Sequence, residues 1–159
     1  MAEKAIVVRS QLISLETVRL VLPNTAIAEV IAYTPPELPE NMPDWFLGYI
    51  PWRGYRIPVV SFEKMIDQTN SAPDRRSRII ILNSIAADPN RPFYALLSTG
   101  IPRLMSVEAG NIQDAPEIGE NDSLILRHVI VDKQGALIPD QYVLEARLKN
   151  HGISVSTVE

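Results

Sequence analysis

Turn-forming residues cut this chain into short apolar segments, most of them rich in β-branched side chains, and that spacing constrains the fold more than any single residue does. "TVRLVLP" (17–23) alternates with period two, placing Val18, Leu20 and Leu22 on one face and Thr17, Arg19 and Val21 on the other. It reads as a half-buried strand. "IVVRSQLISL" (6–15) pairs with it across a turn near Glu16, and "RIIILNS" (78–84), "PFYALLSTG" (92–100) and "SLILRHVIVD" (123–132) are further strands. "NTAIAEVIAY" (24–33) opens with a helical turn capped by Asn24 or Thr25. "TPPELPENMPD" (34–44) carries four prolines and is a connection, since proline holds neither a helix interior nor a central strand. Ser61 caps a short helix over "FEKMI", and residues 141–148, with Leu144 and Leu148 one turn apart, predict a C-terminal helix.

At 159 residues the chain suffices for one domain, or for two small lobes that share a core. A composition of 46% hydrophobic and 21% charged residues is that of a folded protein. The polar loop 67–77 is the expected lobe boundary, and the N-terminal strand can pack with either lobe. Residues 109–122 read as a long exposed loop, and the last residues, "GISVSTVE", as a frayed tail. One internal echo stands out. "GYRIP" (54–58) and "GALIP" (135–139), 81 residues apart, each follow an apolar strand and precede an amphipathic helix, which suggests two related β lobes.

The net charge of −4 argues against a protein that neutralises nucleic-acid phosphates. The basic run "DRRSR" (74–78) reads as a solvated loop. Without cysteine there is no disulfide, thiolate metal site or cysteine nucleophile. No stretch approaches the roughly 18 apolar residues of a membrane span, so cytoplasmic residence is the default and direct membrane insertion is not expected. His128 reads as a partly buried strand histidine with one hydrogen-bond partner, and Trp45 and Trp52 as core or interface fillers. No HExxH, GxSxG, GxGxxG, P-loop or EF-hand spacing is present, and no pair of acidic residues is spaced for acid–base work. Catalytic residues, metal ligands and cofactors are therefore not expected. On these residues alone three readings stay open: an interaction module, a β-barrel that senses a small molecule, and, last, a small hydrolase.

The segment "DWFLGYIPWRGYRIPVVSFEKMI" (44–66) narrows them. It resembles the signature of CheW-like chemotaxis coupling domains, in which Gly-x-x-x-x-Arg-Gly closes one strand and the next ends in Pro-x-x-Asp-Leu. Gly48, Arg53, Gly54 and Pro58 fall on that pattern. Upstream, Ile27, Glu29 and Val30 match a Val-x-Glu-Val/Ile motif, and "SRIIILNS" and "FYALLSTGIPRLMSVE" follow the family order. Three positions depart from it: Ser61-Phe62 replaces Asp-Leu, Ser98-Thr99 replaces a frequent Val-Asp, and Pro139-Asp140 stands near the last Leu-Asp.

The resemblance implies a mainly β fold: two intertwined, SH3-like, five-stranded β-barrel lobes with short helices and a C-terminal helix. It also implies a non-enzymatic adaptor. Its partners would be the cytoplasmic tip of a methyl-accepting chemoreceptor and the regulatory domain of a chemosensory histidine kinase, with motility, flagellar or pilus-based, as the output. The binding positions carried over are Ile27, Glu29, Arg53, Gly54 and, in a strand beyond the loop, Ile79.

Overall fold

A computed structural model describes residues 6–68, 72–115 and 122–157. Each apolar segment forms a strand in it: β1 (Val8–Ser14), β2 (Arg19–Pro23), β3 (Ile27–Ala32), β4 (Phe46–Trp52), β5 (Tyr55–Val60), β6 (Arg78–Asn83), β7 (Phe93–Ser98), β8 (Arg103–Val107), β9 (Ile112–Asp114), β10 (Ile125–Val131), β11 (Gln134–Pro139) and β12 (Ser156–Thr157). Two helices, α1 (Phe62–Met65) and α2 (Gln141–Asn150), follow β5 and β11. No helix among the described residues is long and apolar enough to cross a membrane.

The strands form two β lobes. In one sheet the order is β8-β1-β2-β11-β10-β9; in the other β5 pairs with β4 and β12, and the path continues β5-β7-β6-β3. Each lobe thus has five principal strands and one short addition, β9 or β12. Apart from β12, the second sheet uses residues 27–98 and forms a continuous lobe, whereas the first joins both ends of the chain into a split lobe. The loop 67–77 therefore does not divide the lobes as the sequence suggested. It joins α1 to β6 within the continuous lobe, and the chain changes sheet between β2 and β3 and again between β7 and β8. The N-terminal strand belongs to the split lobe, pairing with β2 and β8.

Period-two alternation explains the core. Ile79 and Ile81 point into the continuous lobe with Ile50, Trp52, Ile57 and Val59, while Ile80 and Leu82 point into a core shared by both lobes. Val21, on the face of β2 opposite Leu20 and Leu22, is likewise buried, inside the split lobe with Val129 and Val131. The strand expected to be half-buried is thus covered on both faces. Leu144 and Leu148 of α2 complete the shared core.

Ser61 caps α1 by accepting from the Lys64 N–H, and Asp140 caps α2 by accepting from Val143. The 3₁₀ turn at Asn24–Ala26 has no side-chain cap; the Asn24 amide oxygen instead accepts from the Gln11 amide at 2.6 Å. The expected long loop after residue 109 contains β9, paired with β10, and residues 116–121 lie outside the described segments. The tail is held rather than frayed through residue 157. Ile153 is fully buried, its carbonyl accepts from Arg91 Nε at 2.7 Å, and β12 pairs with β5.

Two buried carboxylates tie the lobes together. Glu63 on α1 accepts the backbone N–H groups of Glu16 (2.9 Å) and Thr17 (2.7 Å) and the Thr17 hydroxyl, which closes the β1–β2 turn of the split lobe. Glu145 on α2 accepts from the N–H groups of Ile85 (3.0 Å) and Ala86 (2.9 Å) in the β6–β7 connection of the continuous lobe, and from the Tyr94 hydroxyl. Burial, with the Glu145 charge alongside, raises the Tyr94 phenol well above its ordinary range.

The internal echo is structural, but its offset is 79 residues. β4 and β10 begin at Phe46 and Ile125, β5 and β11 at Tyr55 and Gln134, and the caps fall at Ser61 and Asp140. Even the irregularity in strand pairing repeats, between Phe46 and Gly48 and between Ile125 and Arg127. Both hairpins turn on two residues of positive φ, Arg53 and Gly54 (47° and 79°) and Asp132 and Lys133 (48° and 67°), the backbone that two-residue hairpin loops favour. Gly135 is not the counterpart of Gly54. It lies inside β11 opposite Ile130, so the matching letters are two residues out of structural register.

Gly54→Val should therefore lose about 1–3 kcal/mol through its positive φ, whereas Gly135→Val should stay within about 1 kcal/mol. Thermal denaturation of the pair checks this, and equal losses would contradict the assignment of the turns.

Candidate functional site

The tip of the β4–β5 hairpin gathers the charged and aromatic residues picked out in the signature. β3 and β4 are the two outer strands of the principal five in the continuous lobe, and curling of the sheet brings them together. Glu29 on β3 accepts from the Trp52 indole N–H at 2.5 Å and from the Arg53 guanidinium at 3.2 Å. The guanidinium also lies 4.9 Å from the centre of the Trp52 ring, within the range of a cation–π contact. A single carboxylate thus joins the outer strands and orients the arginine. The Trp52 hydrogen bond is the main cause that lowers the Glu29 pKa, with the Arg53 charge adding to it.

Arg53 remains 65% exposed and Glu29 37%, so the pair presents charge to solvent from a fixed base. Gly54 completes the turn, with open space where a side chain would stand. Beside it Arg56 covers the Tyr49 ring at 3.9 Å and forms no ion pair among the described residues. Gly48 sets the base of the hairpin. Its φ is 125°, and a Cβ there would come within 2.6 Å of the Glu37 carbonyl, so only glycine lets the proline-rich connection bond to Tyr49.

The structure brings Glu29, Arg53 and Gly54 together. Ile27, half-buried at the start of β3, packs against the shared core. Ile79 does not belong on the surface: it is fully buried beside Trp52 and offers nothing to a partner, because both faces of β6 are covered. Trp52, expected to fill the core or an interface, has its ring in the core while its N–H donates to Glu29. Arg56 was missed, though its place two residues beyond the Arg-Gly turn and opposite Pro51 was the available signal. His128 Nε2 is buried without the expected partner, and the Arg75–Arg76 stretch is exposed, as a solvated loop should be. Among the described residues no group of acidic and histidine side chains could hold a metal ion.

Two β lobes packed on one shared core, with a braced charged turn at the tip of one, define the class of domain. The model of the CheW-like domain family matches residues 10–145, and the chain belongs to that family, one of chemotaxis scaffolds rather than enzymes. Among solved structures it is similar to the scaffolding protein TtCheW from Thermoanaerobacter tengcongensis, with a TM-score of 0.70 and 18% identity over 85% of this chain and 90% of that one. No curated protein matches the chain.

Glu29 carries a sharp pH signature. Because its folded-state pKa is lowered, its stabilising contribution is complete above the ordinary carboxylate value of 4.5 and is lost as pH falls through the folded value. The Trp52 indole N–H resonance should titrate with a midpoint below 4.5, and a midpoint at or above that value would show that the bond to Glu29 is not made in solution.

Proposed function

We propose that this chain is a non-enzymatic adaptor that couples the cytoplasmic tip of a methyl-accepting chemoreceptor to the regulatory domain of a chemosensory histidine kinase. It works in the cytoplasm, is recruited to membrane-associated receptor arrays, and through the kinase controls flagellar or pilus-based motility. The observation that carries the reading is the Arg53 guanidinium, exposed yet held by Glu29 and the Trp52 ring on a two-residue turn. A prepositioned guanidinium loses little conformational freedom on pairing with a carboxylate, which is what a docking contact needs. Ile27, Glu29, Arg53 and Gly54 form the docking surface, and Ile79 supports it from beneath. Glu29 has a double part, because it also joins the outer strands; replacing it perturbs the lobe as well as the surface.

Arg53→Glu separates binding from folding. Its exposure limits the stability change to about 0.5 kcal/mol, while reversing a central interface charge should cost on the order of 2 kcal/mol, some thirtyfold in affinity. Arg75→Glu, in the solvated loop, should bind like the parent. Co-sedimentation with receptor fragments and kinase, alongside thermal melts, reads both effects. If Arg53→Glu binds as the parent does, the arginine only braces the hairpin.

A further inference from the structure

The two lobes differ at one corresponding place. Each holds its halves together by a short parallel pairing, Val59–Ala95 and Val60–Leu96 in the continuous lobe and Leu20–Leu137 in the split lobe. Below each pairing the strands splay and leave a wedge along the edge of β5 or β11 that faces away from β4 or β10. In the continuous lobe β12 fills the wedge: Ser156 and Thr157 pair with Arg56 and Tyr55, the Val155 N–H donates to the Asn90 carbonyl at 2.9 Å, and Val155 packs on the lobe interior. The residues of β11 that correspond to Tyr55 and Arg56 are Gln134 and Gly135, and on that edge no described strand pairs with them.

What remains there is a cavity of about 350 Å³ between the β1–β2 turn and β11, bounded by Thr17, Arg19, Ala115, His128, Gly135 and Leu137. Two further features point to an occupant. The Arg56 side chain covers Tyr49, whereas Gly135, at the corresponding position, has no side chain, and the space where its Cβ would stand is open. The buried His128 Nε2 has no hydrogen-bond partner, and Arg19 at the rim is exposed and forms no ion pair among the described residues.

We propose that the wedge of the split lobe is a strand-accepting site that takes an extended segment of a partner protein, one with a β-branched residue beside a carboxylate. The segment lies antiparallel to β11 as β12 lies against β5. Its backbone pairs with Gly135, its apolar side chain enters the cavity against Val129 and Ala136 as Val155 packs on the interior of the sister lobe, and its carboxylate reaches Arg19 beside the His128 imidazole. Main-chain pairing supplies affinity in such complexes and the pockets between alternate side chains supply selectivity.

A fluorescein-labelled peptide of sequence ISVSTVE, the segment that begins at Ile153, is a suitable probe because part of it already fits the sister wedge. Fluorescence anisotropy with the full chain should show saturable binding, weakened at least about tenfold by Arg19→Glu, which reverses the charge at the rim, whereas Gly135→Arg, which restores the side chain that Arg56 carries while paired with β12, should still bind. Arg19 is exposed and forms no ion pair among the described residues, so the reversal should be tolerated, and a thermal melt checks this. Independently of any variant, the probe should shift the His128 Nε2 resonance of the parent. Absence of saturable binding to the parent, or equal binding by Arg19→Glu with no change at His128, would overturn the proposal; the latter pattern would place the probe in the β12 slot instead.

Discussion

The pairing of Leu20 with Leu137 is the contact on which the rest of the architecture depends. It joins residues more than a hundred positions apart, and the register between β2 and β11 extends no further than this one pair. So short a ladder contributes few hydrogen bonds. The two leucines, both in the shared core, hold it instead, each burial stabilising by about 1.5–3 kcal/mol. Without this contact β8, β1 and β2 would be severed from β11, β10 and β9, and the sheet of the split lobe could not form. Each lobe in fact draws strands from both halves of the duplicated chain: β1 and β2 complete the sheet of β8, β10 and β11, while β6 and β7 complete that of β3, β4 and β5. The lobes are therefore expected to unfold together.

The carboxylates of Glu63 and Glu145 reinforce that dependence by similar means. Each comes from the helix that follows one lobe's central hairpin and satisfies backbone donors in a turn of the other. A buried carboxylate is tolerable only when several N–H groups face it, and a turn has such groups to spare. The hydrogen bond from Arg147 to the Met65 carbonyl, at 2.9 Å, adds a direct link between the helices. Ser61, which stands where the related signature has aspartate, keeps the N-cap by supplying an oxygen acceptor. That departure from the motif leaves the local structure intact.

Much of this was legible in the sequence, and the failures have physical causes. The β4–β5 hairpin, the glycine at its tip, both helices and the charged turn follow from period-two alternation and turn chemistry, which act over a few residues. The lobe boundary was misplaced because the loop 67–77 looks like a linker, yet sheet membership is decided by pairings between distant strands that no local pattern encodes. Ile79 was assigned to the surface although "RIIILN" has no polar alternation, the mark of a strand covered on both faces. The echo was noticed at the wrong offset because letters were matched where the backbone repeats: positive φ at Asp132 and Lys133 replaces the glycine. Of the candidate site, Glu29 and Arg53 were found separately, but their junction through Trp52 required the sheet to curl.

Duplication also explains how one fold can present two unlike surfaces. In the continuous lobe the hairpin tip is cationic and its wedge is closed by the chain's own β12. In the split lobe the corresponding tip carries Asp132 beside Lys133, and no strand among the described residues fills the wedge. The constraint shared by the copies is backbone geometry, namely a two-residue turn, a repeated bulge and a capped helix. The positive φ values restrict the turn to residues that can adopt that backbone, glycine most readily, but they do not prescribe charge: Arg53 and Gly54 meet them in one copy and Asp132 and Lys133 in the other. Side chains at the two tips could thus diverge in charge without loss of the fold, which leaves the two lobes with unlike surfaces on one backbone plan.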